Sequence, residues 1–300
     1  MRKLVVGVVC VLSVIFAQAA FAEGLTKVAD NVYSYVDVKN GSPQNSFGAN
    51  AGIVVGRDGI LVIDTLTSAK EADRFIGDIR KVTDKPIKYV VDTHYHLDHS
   101  FGNAEFAKLG ATIISQAADR KELVEKGEDT LKNASVLGLT EEDLRGTSIA
   151  LPTLTFTDRM TIDLGGETAE LIFIAPSHTP GSIMVLITGH KLLFTGDIVF
   201  TDFHPYLGEG DLTGWVKCLD YIQTMDVAAI VPGHGPLSGK KEVADMKAYL
   251  LAFDKKAREL SASSNDVNFI SSELKRALPA RSQGEWMIPY NVKEKYIQSK

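Results

Sequence analysis

The chain spells His94-Tyr95-His96-Leu97-Asp98-His99 directly after Ile87-Lys88-Tyr89-Val90-Val91-Asp92-Thr93, a run rich in β-branched and aromatic residues. The run reads as a strand. An apolar interior does not accept three imidazoles and a carboxylate side by side, since each unpartnered polar group there costs roughly 2–7 kcal/mol. The cluster therefore belongs at the carboxyl end of the strand, where the chain turns. Side chains alternate along an extended segment, so His94 and His96 face the same way and can grip one ion. Beyond the turn, Asp98 and His99 aim at a neighbouring position. Neutral imidazole and carboxylate suit zinc, and also iron or manganese.

Three further residues of the same kind stand in short turns after apolar runs. They are His178 in Ser177-His178-Thr179-Pro180-Gly181, Asp197 after Leu192-Leu193-Phe194-Thr195-Gly196, and His234 after Pro232-Gly233. Ligands at strand ends converge on one edge of a sheet core, where loops build active sites. Seven side chains of this sort can hold two metal ions. His190, in Gly189-His190-Lys191, has no companion and reads as an ordinary hydrogen-bonded residue.

The rest of the chain supplies the scaffold. Asn31 to Val36 reads as a strand, and Ala51 to Gly56 and Ile60 to Thr65 flank Arg57-Asp58-Gly59, a hairpin signal. Ala72, Phe75, Ile76, Ile79 and Val82 step at helical spacing, which predicts a helix from about Ser68 to Val82. A strand at Ala111 to Ile114 and a helix from Ala117 to Lys126 follow. In the second half, strands are expected at Met160 to Leu164, Ala169 to Ile174, Ser182 to Ile187, Leu192 to Asp197 and Ala228 to Val231. From Val243 the residues Met246, Leu250, Phe253, Ala257 and Leu260 mark a helix with one buried stripe, and the tail to Lys300 should wrap the domain with one or two more short helices.

Composition bounds the possibilities. Three hundred residues, 45% of them hydrophobic, can bury a large core. Met1-Arg2-Lys3, the apolar run Leu4 to Ala17 and Ala20-Phe21-Ala22 have the basic, apolar and small-residue regions of a secretory signal cleaved after Ala22. The run is short for a bilayer span, so no stable membrane span is expected after cleavage. The expected organisation is a signal at 1–22 and a single domain at 23–300, with its core at about 30–240 and a helical extension at 241–300. Removing the two basic residues of the signal takes the formal charge from −6 to −8, so clustered cations for a phosphate backbone are lacking and nucleic acid is disfavoured as a partner. Of the two cysteines, Cys10 lies in the signal. Cys218 is then alone, cannot form an intramolecular disulfide, and reads as a buried structural thiol.

His94, His96, Asp98, His99, His178, Asp197 and His234 resemble the ordered ligand set of the metallo-β-lactamase superfamily, and Asp64 resembles its early strand-end aspartate. The resemblance covers roughly residues 30 to 240. It implies an α/β (α+β) fold, a four-layer αβ/βα sandwich with the metals at the sheet edges. It further implies that His94, His96 and His178 hold one ion and Asp98, His99 and His234 the other. Asp197 would bridge them, and Asp64 would be a buried acceptor that orients the site or a simple strand-end cap. Asp98 is both a ligand and the candidate catalytic carboxylate. The seven-ligand set is similar to that of hydroxyacylglutathione hydrolases and lactonases. Class B β-lactamases carry cysteine or no ligand where this chain has Asp197, a departure from their pattern.

Two cations roughly 3.5–4 Å apart lower the pKa of a bridging water from about 15.7 towards 7 and polarise a carbonyl. The expected activity is hydrolysis of a small ester, thioester, lactone or β-lactam amide by an exported, periplasmic or secreted enzyme with two divalent ions, zinc foremost. The partner is a small-molecule substrate. Export argues against glutathione thioesters, which are mainly intracellular. The alternatives are iron-dependent redox chemistry of the persulfide dioxygenase type, which the resemblance also admits, and metal carriage without catalysis. Two segments could wall the site. Thr201 to Gly210 carries His204 and Tyr206 as candidate substrate contacts, and Lys39 to Gly48 is a candidate flap.

Overall fold

A computed structural model describes residues 24–39 and 41–297, so the expected signal at 1–22 lies outside the described residues. Among the described residues, twelve strands form two sheets. The first sheet holds β1 (Thr26–Ala29), β2 (Val32–Ser34), β3 (Gly52–Val55), β4 (Ile60–Ile63), β5 (Ile87–Val91), β6 (Thr112–Gln116) and β7 (Leu154–Phe156) in sequential order. β1 to β4 are antiparallel neighbours and β4 to β7 parallel ones. The second sheet runs from β8 (Arg159–Asp163) through β9 (Thr168–Ile172), β10 (Met184–Ile187) and β11 (Leu192–Phe194) to β12 (Ala229–Val231), and only its last pair is parallel.

Period-two alternation with both faces apolar makes the layers. Along the first sheet Val54, Leu61, Ile63, Val91 and Ile114 point one way, into a core shared with Leu171, Val185, Ile187, Phe194 and Val231 of the second sheet. Their neighbours Ile53, Ile60, Val62, Val90 and Ile113 point the other way, onto Ala72, Phe75 and Ile79 of α1 (Ala69–Val82). Sheets buried on both faces read as nearly continuous apolar runs for this reason. Ser68 caps α1 by accepting from the Glu71 amide, and Arg80 and Lys81 complement the dipole of its last turn.

After β5 come α2 (Leu97–Ser100), α3 (Asn103–Lys108) and, behind β6, α4 (Ala117–Lys132). The outer face of the second sheet is covered by α5 (Leu212–Thr224), α6 (Lys240–Ser261), α7 (Val267–Ala277) and α8 (Met287–Asn291), with Trp215, Leu219, Met246, Leu250 and Phe253 packed on Met184, Leu193 and Ile230. The result is four layers, helix, sheet, sheet, helix, as the resemblance implied. No helix among the described residues is long and apolar enough to cross a membrane.

The differences from the sequence reading are local. β1 and β7 were not expected, since Thr26–Ala29 has no apolar alternation and Leu154–Phe156 is a three-residue edge strand. α4 runs six residues past Lys126 because its later turns expose mostly charged residues, which a search for apolar stripes passes over. The stripe predicted from Val243 is buried along α6, and Cys218 is fully buried with its thiol 3.6 Å from the Ala175 carbonyl oxygen. His190 lies 3.0 Å from Glu167, as an ordinary hydrogen-bonded residue.

Candidate metal centre

Every one of the seven residues follows a strand end, and all stand on one edge of the sandwich. β5 delivers His94, His96, Asp98 and His99, β9 His178, β11 Asp197 and β12 His234. The ligand-type atoms of His94, His96, His178 and Asp197 all lie within 4.8 Å of one another, and so do those of Asp98, His99 and His234. Asp197 faces both groups. Its Oδ2 is 3.3 Å from His178 Nε2 and 3.7 Å from His94 Nε2, while its Oδ1 is 3.3 Å from His99 Nε2 and 3.5 Å from His234 Nε2. Asp98 Oδ2 completes the second group, 3.3 Å from His234 Nε2.

The donor set fits divalent ions. Nε2 of His94, His99 and His234 and Oδ1 of Asp197 are buried and have no hydrogen-bond partner, an arrangement that protein alone satisfies poorly. For His178 and His99 the opposite ring nitrogen is held from behind. His178 Nδ1 donates to the Tyr206 carbonyl at 3.2 Å, and His99 Nδ1 to Asp64 Oδ2 at 2.8 Å, which turns each Nε2 inward. His96 presents Nδ1 instead, 2.9 Å from His178 Nε2, with its Nε2 3.4 Å from Glu209. Trp215 packs edge-on to the His178 ring, and Phe200 stacks on His234 at 5.1 Å. Gly233 is required by proximity, because a Cβ there would stand 1.9 Å from Asp197 Oδ1.

Asp64 directly follows β4 with φ at +61°, a left-handed conformation that aspartate tolerates better than most residues. The turn points its carboxylate inward, where it also accepts from the Thr93 amide at 2.7 Å and the Thr93 hydroxyl at 2.8 Å. Burial raises its pKa, against the opposing pull of His99. Asp64→Ala leaves His99 Nδ1 without an acceptor and should weaken metal binding roughly 10- to 100-fold. Competition against a chelator measures this, and unchanged affinity would leave Asp64 as a turn residue only.

Burial disfavours every charge here, and the neighbours decide the outcome. At His94 and His178 burial wins, holding the first well below the ordinary imidazole value and the second at about 3, so both are neutral. At His99 and His234 burial is outweighed by Asp197 and Asp98, which lift His99 well above the ordinary value and His234 to about 9. Burial would likewise raise Asp197, but the imidazoles of His234, His99, His178 and His94 hold it well below the usual carboxylate range. Because the folded pKa of His234 is raised, its proton stabilises the metal-free fold fully below the unfolded value of about 6.5. That contribution disappears as pH rises through about 9. Metal affinity runs the other way, rising with pH across the same window as the competing proton leaves. Calorimetric titration near neutral pH in two buffers of different protonation heat should show buffer-dependent heats of metal binding; equal heats would contradict proton release.

A cleft of about 240 Å³ opens onto this centre, with Asp98, Asp197, His96 and His234 in its lining. Tyr206 lines it, its ring 5.8 Å from that of His96. His204 does not. It is 5% exposed and its Nδ1 lies 2.6 Å from the Tyr249 hydroxyl, so the expected substrate contact at His204 is corrected to a buried polar tie onto α6. The Lys39 to Gly48 segment, Asn40 aside, contributes Phe47 to the cleft. Sequence reasoning missed Glu209, which hydrogen-bonds the Tyr95 hydroxyl and lies 3.1 Å from Lys126 Nζ. Its only signal was a lone acid between two glycines. Trp286, Met287 and Tyr290 were also missed, because nothing in the chain's order ties residues so far along to position 96.

A sequence model of the metallo-beta-lactamase superfamily matches residues 45–234, nearly two-thirds of the chain and all seven residues of the centre. The chain belongs to the metallo-beta-lactamase superfamily. Among curated members, it is 26% identical over 222 residues to a linear primary-alkylsulfatase of Pseudomonas sp. (strain ATCC 19151), a match that covers 63% of this chain and only 42% of that longer protein. It is 22% identical to the metallo-beta-lactamase type 2 of Bacteroides fragilis, covering 74% of this chain and 83% of that one. An acyl-coenzyme A thioesterase of Bos taurus is 25% identical, with 62% and 72% covered. The solved metallo-beta-lactamase from Pontibacter korlensis superposes with a TM-score of 0.61 at 20% identity, over 76% of this chain and 98% of that one, which shows a shared fold. The superfamily relatives are hydrolases, so a metal-dependent hydrolase is supported at that level.

Proposed function

We propose that this protein is an exported hydrolase that cleaves a small ester, thioester, lactone or β-lactam amide using two divalent ions, zinc foremost, held by His94, His96, His178, Asp98, His99 and His234 with Asp197 between them. The observation that carries the reading is Asp197, whose two oxygens face the two ligand groups at 3.3–3.7 Å. Bound there, divalent cations supply Lewis acidity toward a carbonyl oxygen and acidify water.

The chain's own residues do the rest. Asp98 stands in the cleft lining beside His234, so its carboxylate can take the proton released as water adds to a carbonyl and pass it to the leaving oxygen, nitrogen or sulfur. Leu97, Phe101 and Tyr95 make the adjoining wall apolar and limit bulk water. The relatives' names bring sulfate esters and acyl-coenzyme A into the substrate range to be examined. Export is supported by the basic, apolar and small-residue pattern of residues 1–22.

Elemental analysis of protein purified without added metal, joined to a panel of a chromogenic cephalosporin, a lactone, a thioester, an aryl ester and an alkyl sulfate, tests the reading. Two zinc per chain and turnover above a His96→Ala control are expected. One iron with oxygen uptake and no hydrolysis would replace it with redox chemistry.

A further inference from the structure

We propose that the segment 286–294 selects the substrate, and that it selects an uncharged molecule carrying an apolar chain or ring beside the scissile bond. This rests on the hydrolase reading and names its substrate class. The segment lies beyond the ligand-bearing strands, yet Trp286, Met287, Tyr290 and Glu294 line the same cleft as Asp98 and Asp197. Trp286 is 40% exposed, which leaves apolar ring surface open in the cleft lining. It is held as a shelf, 5.8 Å from the Phe47 ring and edge-on to Tyr290 at 5.9 Å.

The shelf is fixed in place. Asn291, fully buried, accepts from the Leu207 amide at 2.6 Å and donates to the Pro205 carbonyl at 2.8 Å, and Ile288 is buried in the helical layer. Rigid aromatic surface binds apolar groups at little entropic cost. Charge then narrows the choice. Apart from histidines the one cation among the described lining residues is Lys126, whose ammonium already meets Glu122 at 2.6 Å and Glu209 at 3.1 Å. Glu294 adds a carboxylate on the same wall, with its nearest cation, Lys293, 3.8 Å away and outside the lining. A substrate with a carboxylate at this end would find no free cation among the described lining residues and two carboxylates near it, whereas an alkyl or aryl tail loses nothing there. In the reaction, water's hydroxyl joins the acyl carbon, the acyl C–O bond breaks, and water's proton leaves on the alcohol.

The test uses zinc-loaded full-length protein and 4-nitrophenyl acetate, butyrate, octanoate and hemisuccinate. Octanoate should exceed acetate, and butyrate should exceed hemisuccinate, each by about tenfold or more in kcat/KM, the scale on which apolar pockets discriminate. Trp286→Ala should collapse the octanoate-to-acetate ratio towards one, and Trp286→Phe should restore most of it. Independently of turnover, 1-octanol titrated into metal-free protein should shift the tryptophan emission to the blue, a shift lost in Trp286→Phe. Ester cleavage without chain preference, or with hemisuccinate preferred, overturns this inference. Octanol binding with no ester and no member of the wider hydrolysis panel cleaved would instead overturn the hydrolase reading.

Discussion

Asp197→Ala should lower metal-dependent hydrolysis by about 10³-fold, because the charge stabilisation supplied at such centres amounts to several kcal/mol and each 1.36 kcal/mol is tenfold in rate. The reason lies in the geometry, in which one carboxylate stands within 3.3–3.7 Å of four imidazole nitrogens from two ligand groups. Without it each group keeps three side chains and nothing negative between the two. Metal content should drop below the wild-type stoichiometry in the same preparation. Full metal content with full activity would remove Asp197 from the centre. The fold should survive, since the variant opens no apolar void, and circular dichroism of the metal-free protein checks that.

Trp215→Ala acts by the opposite route. Trp215 is 1% exposed, packs on the second sheet from α5, and donates its indole N–H to the Ile198 carbonyl at 2.8 Å. Truncation of a buried tryptophan costs about 3–5 kcal/mol through lost transfer energy and the cavity left behind. For a chain of this size that lowers the midpoint of thermal unfolding by about 10 °C. The void opens against His178, whose ring lies 5.2 Å from the indole, so metal affinity should fall as well. Thermal unfolding of metal-free protein, with the half-exposed Trp286→Ala as comparison, separates the two effects. Equal midpoints for the two variants would show that Trp215 is not the packing anchor the structure makes it.

Much of this was legible without coordinates. The helix at Ala69–Val82 was readable because five apolar residues repeat at helical spacing. The strands β3 and β4 were readable because β-branched residues flank a turn sequence. The edge strands β1 and β7 were not, since short strands owe their existence to a paired neighbour rather than to their own composition. His204 shows the same limit within the site. A polar residue in a loop after Asp197 has two faces to choose from, and the hydroxyl of Tyr249, 45 residues on, decided which.

What the sequence by itself determined was the chemistry available: imidazoles and carboxylates placed after strand-forming runs, where alternation and the cost of burying unpaired polar groups leave a metal centre as the consistent outcome. Only the tertiary structure decided which groups meet. It set Asp197 between the two ligand groups, turned Asp64 through a left-handed turn onto His99, brought Glu209 to His96, and carried Trp286 to a cleft lined by residues almost two hundred positions earlier. Such contacts arise from the packing of whole layers, which depends on the summed burial of many side chains and leaves no local signature in the order of residues.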